Sequence, residues 1–344
     1  MLGSILIVGA GPAGIISACV YNKKYPDKKI LWVDQNFNVG KLSSYPNVYA
    51  NTPYKKMIHF INTLYSLIGS NCKATICNEL NNDYFKLSCL CNELKKITEI
   101  IIKSPMITAV TDTIVSIKKN DLWNCRGIDN TYMVDKVLFA TGCEHKSLSY
   151  NKPVISIQDA LNPNKLIEKD FKAKNILVFG NSHSGILILK NLYDCGYKNI
   201  ICIYKSPIKI PYIKNGVEIF DQSGLRGVAK DWSEEYLLPN KTNIKFIKYN
   251  NNNINDIVNE CDYIIYAIGL KQAVLPRIET PGSSKTYYKL SRCYTDYSFD
   301  PETGEICEGI YGIGVGFPAH YILDDNLECK VGIYEFLERA NEIL

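Results

Sequence analysis

A strand, a glycine-rich turn and a helix open the chain and constrain its fold more than any other stretch. The apolar run Ile5–Val8 leads into Gly9-Ala10-Gly11-Pro12-Ala13-Gly14, and an apolar helix follows. A continuous apolar run is typical of a strand that is buried on both faces. The glycine spacing predicts a tight turn, a close approach of backbone to ligand, and close packing of the helix on the strand. The free N–H groups and the positive dipole end of that helix can bind a pyrophosphate.

The next predicted strand ends on an acid. Asp34 closes the run Ile30–Asp34, and a carboxylate at this position can accept hydrogen bonds from a ribose diol. A glycine motif alone also occurs in purely structural turns, but the strand, the helix and the terminal acid together favour dinucleotide binding. We expect the first dinucleotide to contact Gly9, Gly11, Pro12, Ala13, Gly14 and Asp34.

A second unit of strand, glycine turn and helix lies in the middle of the chain. The run Asn175–Phe179 leads into Gly180-Asn181-Ser182-His183-Ser184-Gly185, and the helix is predicted to end near Asp194. Position 182 has no glycine, but the small residues at 184 and 185 allow helix and phosphate to approach closely. For His183, packing at the helix start is the alternative to nucleotide contact. We expect the second nucleotide to contact Gly180, Asn181, Ser182, His183, Ser184 and Gly185.

Two nucleotide units in one chain indicate the chemistry and its cofactors. The common reason for such a pair is hydride transfer from a nicotinamide to a flavin. Asp34 is placed for an adenosine ribose, which FMN lacks, so we expect FAD. The second strand of the second unit ends on Lys205, a base where an NAD-selective site usually has an acid. Lys205 could bind the 2′-phosphate of NADPH, which we favour over NADH; a solvated lysine, or the same role for Arg226, is the alternative.

The order of the predicted elements indicates an α/β fold with two Rossmann-like dinucleotide-binding domains. Buried strands that end on glycine recur at residues 136–142, 262–269 and 308–316, and the second nucleotide unit lies between the first two. The NAD(P) domain is therefore expected to be inserted into the FAD domain, with crossings near Gly142 and Gly269. We expect the FAD domain to comprise residues 1–145 and 269–344, and the NAD(P) domain residues 146–268.

The remaining stretches predict smaller elements. Alternation of apolar and polar residues predicts a small antiparallel meander over residues 107–117, 122–127 and 132–134, and a further strand over 241–247. Helical periodicity occurs at residues 54–68, 84–102 and 331–343. Residues 35–53 and 207–236 are predicted to be irregular, and the first of these is long enough to lie over a ligand.

Composition and charge exclude several function classes. No apolar stretch is long enough to span a bilayer, and a glycine turn cuts the apolar start, so we expect a cytoplasmic protein without a signal peptide. Thirteen cysteines without a repeating frame favour reduced thiols over a disulfide scaffold or a metal site. The formal charge of +4 is spread along the chain, so nucleic acid is not an expected partner. The expected partner is a small-molecule substrate; a homodimer is left open.

Several stretches together resemble the flavin-containing monooxygenases, within the two-dinucleotide-binding-domain flavoproteins. The stretch Asn47-Val48-Tyr49-Ala50-Asn51-Thr52-Pro53, followed by Lys55-Lys56-Met57, is similar to the segment of that family whose asparagine lies beside the reactive flavin edge. Phe139-Ala140-Thr141-Gly142 resembles the linker motif of the family. The resemblance implies an FAD enzyme in which oxygen forms a flavin hydroperoxide that attacks an amine or sulfide. It also implies a catalytic role for Asn51 and cofactor contacts at Gly142 and Gly314.

The chain departs from that family at two places, which leaves other functions open. Val315 stands where many relatives have an acid that binds the ribityl chain, and the family's Phe-x-Gly signature is not evident before Lys174. A reductase that passes electrons to a quinone or disulfide is one alternative, and a flavin-binding partner protein without turnover is another. Cys89-Leu90-Cys91 lacks the C-x-x-C spacing of a redox dithiol. Asn51 could instead cap the following helix.

Overall fold

The computed structural model describes residues 4–76, 84–169, 172–214, 217–219, 224–250, 253–279, 299–323 and 326–344. Two sheets dominate the fold of these residues, one mainly parallel and one entirely parallel. The strands of these residues, numbered along the chain, are β1 (Ile5–Val8), β2 (Ile30–Asp34), β3 (Ile107–Thr111), β4 (Ile114–Lys119), β5 (Trp123–Gly127), β6 (Thr131–Val134), β7 (Lys136–Phe139), β8 (Cys143–His145), β9 (Asn175–Phe179), β10 (Asn199–Tyr204), β11 (Tyr212–Lys214), β12 (Val217–Ile219), β13 (Lys245–Lys248), β14 (Tyr263–Tyr266), β15 (Leu270–Gln272), β16 (Arg277–Glu279), β17 (Glu305–Cys307), β18 (Ile310–Gly312), β19 (Ala319–Leu323) and β20 (Asn326–Lys330).

Helices pack against both of these sheets. The α-helices of the described residues are α1 (Pro12–Lys24), α2 (Tyr54–Leu67), α3 (Leu87–Ile101), α4 (Ile157–Ala160), α5 (Pro163–Lys169), α6 (His183–Asp194), α7 (Gly227–Trp232), α8 (Ile254–Glu260) and α9 (Ile333–Ile343). A 3₁₀ turn spans Gly40–Ser44, and a π-helical turn at Ser233–Leu237 extends α7. Among the described helices, none is both long and apolar enough to cross a membrane.

The first sheet contains the opening strand in its interior. Its strand order is β17-β18-β7-β1-β2-β3, and β1 pairs in parallel with both β2 and β7. Ile7 and Trp32 pack in the core with the helices on one face, whereas Leu6 and Val33 pack with the small sheet on the other. Both faces are therefore apolar, which explains the continuous apolar run of β1.

The second sheet is inserted into the first along the chain. Its strands, in the order β13-β10-β9-β14, are all parallel and all lie between β8 and β15 in sequence. β8 and β15 pair in an antiparallel ladder, with His145 opposite Leu270. The predicted α/β fold, with one dinucleotide-type unit inserted into the other, is thus confirmed. We propose the domain boundaries at residues 145/146 and 268/269, next to this pair.

The meander differs from its prediction at one end. β4, β5 and β6 form the expected antiparallel sheet, but β3 pairs in parallel with β2 at the edge of the first sheet. Asp112 lies between the end of β3 and the start of β4. Its side chain accepts hydrogen bonds from the amides of Thr113 (2.7 Å) and Ile128 (2.9 Å) and from the hydroxyl of Tyr132 (2.7 Å). An edge strand has partly exposed faces, so alternation did not distinguish β3 from a meander strand.

Two predicted segments have different internal structure. Residues 84–86 are not helical, because the amide of Ala50 donates to the carbonyl of Phe85 (2.9 Å) and that of Leu87 to Val48 (2.8 Å). Residues 207–236 contain β11, β12 and α7, so this segment is not irregular throughout. Residues 215–216 and 220–223 of this segment lie outside the described residues.

Candidate functional site at the sheet edges and domain crossing

The first glycine turn packs directly against the end of the neighbouring strand. Gly9 has φ +109°, and a Cβ there would lie 2.5 Å from the carbonyl oxygen of Ala140. A Cβ at Gly14 would lie 2.0 Å from the carbonyl oxygen of Gly9. The amide of Gly9 donates to Val33 and the amide of Ala140 to Val8, each at 2.8 Å. No side chain fits at either glycine without moving backbone.

The second turn repeats this geometry at the edge of the second sheet. Gly180 has φ +104°, and a Cβ there would lie 2.2 Å from the carbonyl oxygen of Ala267. A Cβ at Gly185 would lie 2.1 Å from the carbonyl oxygen of Gly180. The amide of Gly180 donates to Ile203 and that of Ala267 to Phe179, each at 2.8 Å. The two turns therefore have the same backbone geometry. Each lies at the carboxyl ends of parallel strands, where open α/β sheets bind ligands.

Both turns lead into helices whose first N–H groups lack a side-chain cap. Gly11 is the N-cap of α1 and Ser182 that of α6, and neither makes a side-chain cap hydrogen bond. Neither helix has an acidic residue in its first turn. The uncapped donors and the helix dipole favour an anion at each position, so both turns fit the phosphates of a dinucleotide.

The edge of the first sheet offers further room and unpartnered polar atoms. A Cβ at Gly142, which has φ +71°, would meet no atom within 4 Å. Gly314 lies against the start of α1, since its Cβ would be 2.8 Å from that of Ala13. Within the described part of the chain, the buried Thr141 Oγ1 and Gln272 Oε1 have no hydrogen-bond partner. An open, partly polar edge of this kind fits the rest of a flavin dinucleotide.

Asp34 lies at the predicted position, but its carboxylate is largely used by backbone amides. One oxygen accepts from the amide of Ala10 (2.7 Å), and the other from those of Asn36 (2.9 Å) and Phe37 (2.8 Å). The carboxylate thereby joins the glycine turn to the loop after β2. Since a carboxylate has about four acceptor positions, about one is left for a ribose hydroxyl.

At the second turn, Lys205 lies at the predicted strand end. Asn181 Nδ2 donates to the carbonyl of Ser206 (2.9 Å), which ties the turn to the end of β10. The exposed Lys205 ammonium lies 5.5 Å from the ring centroid of Tyr249. A cation over an aromatic face is held by the ring quadrupole. The lysine thus lies at the strand end that Asn181 ties to the second turn.

His183, the first residue of α6, is neutral near pH 7. Burial and the nearby positive charge of Arg226 together lower the pKa of its imidazole to about 4. A neutral imidazole can donate one N–H to a phosphate but supplies no charge. The electrostatic effect also places Arg226 close to the second turn.

Asn51 lines a cleft between the first unit and the second. The cleft has a volume of about 330 Å³, and it is lined by Ala50, Asn51, Thr52, Pro53, Lys56, Tyr84, Arg226, Gly227, Lys230 and Asp231. A Cβ at Gly227, the first residue of α7, would lie 3.7 Å from the carbonyl oxygen of Ala50 and 3.8 Å from Cα of Asn51. The Tyr84 hydroxyl donates to the Asp231 carboxylate across the cleft. The structure thus brings Asn51 next to the segment that approaches the second turn.

The alternative role for Asn51, as a helix cap, is not seen. α2 begins at Tyr54, its N-cap is Pro53, and no side-chain cap hydrogen bond is made. Asn51 lies two residues before that N-cap, and its side chain is exposed. Asn51 therefore lines the cleft and does not cap the helix.

A polar cluster surrounds the first crossing between the sheets. The Tyr45 hydroxyl and His145 Nε2 form a hydrogen bond of 2.5 Å, and Lys41 Nζ donates to the carbonyl of Cys143 (2.9 Å). Burial raises the pKa of Tyr45 to about 12, while burial and the Lys41 charge lower the pKa of His145. The hydrogen bond therefore joins an uncharged phenol to an imidazole whose neutral form is favoured. His145 thus has a hydrogen-bond partner within the protein.

The cysteines that the structure describes are mostly free thiols. Ten of them form no disulfide, and Cys329 is disulfide-bonded. Cys89 and Cys91 lie on α3, and burial raises the pKa of Cys91 to about 11. A thiol that resists ionisation is a poor redox nucleophile, so the environment of Cys91 does not favour dithiol chemistry. Among the described side chains, no three His, Cys, Asp or Glu residues are grouped as metal ligands.

Sequence reasoning missed part of the cleft. Lys56, Tyr84 and Asp231 come from three separate segments and meet only through the packing of the two units. Gly40 was also missed: it has φ +57°, and its Cβ would lie 3.0 Å from Cα of Gly11. The one signal in the sequence was a glycine within a long loop, because glycine adopts positive φ without strain.

Comparisons with known proteins agree with this geometry. The family model for pyridine nucleotide-disulphide oxidoreductases matches residues 3–272. Monooxygenase AgnR1 of Paecilomyces divaricatus is 24% identical over 374 aligned positions, which cover 97% of this chain and 95% of the relative.

Two solved structures share the fold. The bacillithiol disulfide reductase of Staphylococcus aureus has a TM-score of 0.63 and 14% identity, with 99% of this chain and 96% of that one covered. The ornithine N-hydroxylase of Kutzneria sp. 744 has a TM-score of 0.61 and 11% identity, with 100% and 98% covered.

The family match extends from β1 to the end of β15, so it includes both nucleotide units. It confirms the predicted fold and the predicted enzyme class, an FAD-dependent oxidoreductase that uses a pyridine nucleotide. The chain belongs to the pyridine nucleotide-disulphide oxidoreductase family.

Proposed function

We propose that this enzyme is a monooxygenase, which takes a hydride from NADPH and inserts one oxygen atom into a small nucleophilic substrate. The observation that carries the proposal is the contact between the Asn51 loop and Gly227, because it joins the predicted flavin-edge asparagine to the second nucleotide unit. The similarity to a curated monooxygenase over nearly the whole chain supports the same chemistry.

The two turns divide the cofactors between them. FAD would be held by the first turn, Asp34, Gly142 and Gly314, and NADPH by the second turn and Lys205. When bound, FAD would supply the redox chemistry, which in this proposal would pass through a flavin hydroperoxide. In the balanced reaction, NADPH, a proton, oxygen and the substrate give NADP⁺, water and the oxygenated product.

Asn51 is proposed to hold the flavin edge and the peroxide oxygen. An amide side chain offers two donor hydrogens and an acceptor, so it can bind both groups without adding a charge. Its exposed position at the cleft mouth leaves those groups open to a ligand. The substrate would enter the same cleft.

Rapid mixing of the reduced holoenzyme with oxygen tests the proposal. We expect a flavin hydroperoxide spectrum that persists without substrate and decays faster when a thioether or amine is added. Immediate reoxidation to the oxidised flavin would contradict oxygenation and indicate the reductase alternative. Failure of NADPH to reduce the flavin would indicate a flavin-binding protein without turnover.

Location and assembly stay predictions. We propose a cytoplasmic enzyme, in keeping with the free thiols among the described cysteines. A homodimer and the lack of a nucleic-acid partner are further predictions, which sedimentation of the purified protein with and without DNA would test.

A further inference from the structure

We propose that Gln272, at the second crossing between the two units, accepts a hydrogen bond from a hydroxyl of the FAD ribityl chain. The inference rests on the part of the proposed function that places FAD at the first turn, and not on the proposed oxygenation. It assigns a further cofactor-binding residue, on a strand that belongs to neither glycine turn.

One end of the Gln272 amide is fixed by the protein. Gln272 lies on β15, opposite Cys143 of β8, and only 7% of the residue is exposed. Its Nε2 donates to the carbonyl oxygen of Gly316 at 3.0 Å. Since a backbone carbonyl only accepts hydrogen bonds, this contact identifies the amide nitrogen and leaves Oε1 as the other terminal atom.

The other end of the amide has no partner. Oε1 is buried, and no donor among the described residues contacts it. The buried hydroxyl of Thr141 is unpaired in the same way. The two residues lie on neighbouring segments, because the amide of Ala273 donates to the carbonyl of Gly142 (3.2 Å). Buried polar atoms are normally paired, so two unpaired ones at one edge indicate contact with a polar ligand.

The strand order shows which half of FAD would lie at this edge. β1 lies between β2, which ends on Asp34, and β7, which leads to Gly142. If the pyrophosphate is held at the start of α1, the adenosine ribose would extend toward Asp34. The flavin half would then extend to the other side, toward the ends of β7 and β18.

Gln272 lies close to the pyrophosphate end of that half. Gly314, which follows β18, packs against the first turn of α1, since a Cβ at Gly314 would be 2.8 Å from that of Ala13. Gly316, whose carbonyl holds the Gln272 amide, is two residues further along the chain. The ribityl chain is the part of the flavin half that adjoins the pyrophosphate, so we expect it beside Gln272.

The two groups have complementary hydrogen-bonding chemistry. An amide oxygen only accepts hydrogen bonds, whereas each ribityl hydroxyl can donate one. Ionised phosphates and the ring carbonyls of the flavin have no hydrogen to donate, so they would leave Oε1 unpaired. The amide also adds no negative charge near the pyrophosphate, which a carboxylate would repel.

Competitive exchange of the bound flavin tests the assignment. The holoenzyme is equilibrated with an excess of FAD and an equal amount of an analogue that lacks the 2′, 3′ or 4′ hydroxyl of the ribityl chain. The flavins that stay on the protein are then separated by chromatography. We expect the wild type to retain FAD about tenfold over one of the three analogues, because that analogue leaves Oε1 unpaired. Equal retention of FAD and all three analogues would overturn the proposal.

The substitution Gln272→Met separates this role from a purely structural one. Methionine is similarly long and flexible but has no amide, so it removes Oε1 and largely preserves the packing. The preference for FAD over the sensitive analogue should fall to about twofold or less. A tenfold preference that persists would mean that another group accepts from this hydroxyl, and the proposal would be wrong. The ratio is measured within one sample, so it does not depend on yield; Gln272→Leu takes the same test if Gln272→Met is not recovered.

Gln158→Met is the matched control. Gln158 is half-buried on α4 in the second unit, and its substitution makes the same chemical change. The variant should keep the tenfold preference, and its loss in both variants would overturn the proposal. The readout is bound flavin, so a missing hydroperoxide in rapid mixing would count against oxygenation alone. Failure of the first-turn placement would appear separately, as retention of FAD by Gly14→Ala.

Discussion

Gly9 and Gly180 occupy equivalent positions in the two sheets. A Cβ at either glycine would collide with the backbone carbonyl of an alanine at the end of the neighbouring strand. Gly14 and Gly185 are also equivalent, because a Cβ at each would collide with the carbonyl oxygen of the first glycine of its own turn. At the residue scale, these glycines were predictable because the reason for each is local: a positive φ or a close backbone contact that no side chain permits. Lys56 was not predictable as a lining residue, because only a distant segment completes the cleft.

The glycine pair gives a matched prediction at the residue scale. Gly14→Ala and Gly185→Ala each place a Cβ about 2 Å from backbone oxygen, so each should cost about 1–3 kcal/mol of local stability. We expect Gly14→Ala to lose FAD during purification, measured as the ratio of flavin to protein. Gly185→Ala should keep FAD but be reduced at least about tenfold more slowly by subsaturating NADPH. The same defect in both variants would contradict the division of cofactors between the turns.

His183 gives a prediction with a definite pH range. Its pKa is about 4 in the folded protein and about 6.5 in the unfolded chain, so the unfolded chain binds a proton first as pH falls. The stability due to the neutral imidazole is therefore present above about pH 6.5 and is lost as pH falls toward about 4.

The variant His183→Asn should show a flatter dependence. Denaturant unfolding at about pH 7 and about pH 5 should show that the wild type loses roughly 1–2 kcal/mol more than the variant over this interval. Comparison within each pH cancels the contributions of the other titrating groups. Parallel losses would show that His183 titrates normally.

At the element scale, the helices and strands of both units follow their predicted order. The wrong predictions concern segments whose pairing partner is set by tertiary packing. β3 joined the first sheet instead of the meander, because edge position and not alternation sets its partner. The segment before α3 pairs with the loop of Asn51, so its helical periodicity begins only at Leu87. Propensity and periodicity do not contain such long-range pairings.

The end of β10 carries a prediction about cofactor choice. If Lys205 binds the 2′-phosphate, Lys205→Ala removes a charge-assisted hydrogen bond of about 1.5–3 kcal/mol. The preference for NADPH over NADH in anaerobic flavin reduction should then fall about tenfold or more. Lys248→Ala is the control, since Lys248 is an exposed lysine at the end of β13, opposite Tyr204 in the sheet. An unchanged ratio in Lys205→Ala would contradict the assignment.

At the scale of the whole molecule, the insertion of one unit into the other creates the cleft. β8 and β15 set the two crossings side by side, and α7 then meets the loop that carries Asn51. The sequence predicted the insertion from the order of its glycine-ended strands. It could not predict the lining of the cleft, because the lining residues come from segments that only the assembled units bring together.

The most direct test of the proposed monooxygenase function is the lifetime of the flavin hydroperoxide in the variant Asn51→Asp. Since α2 is capped at Pro53 without a side-chain bond, this substitution should not disturb the helix. It places a negative charge where a peroxide anion forms and removes two donor hydrogens. We predict that the variant folds, binds FAD and is reduced by NADPH, yet releases hydrogen peroxide at once. A hydroperoxide as long-lived as that of the wild type, or none in the wild type itself, would contradict the account.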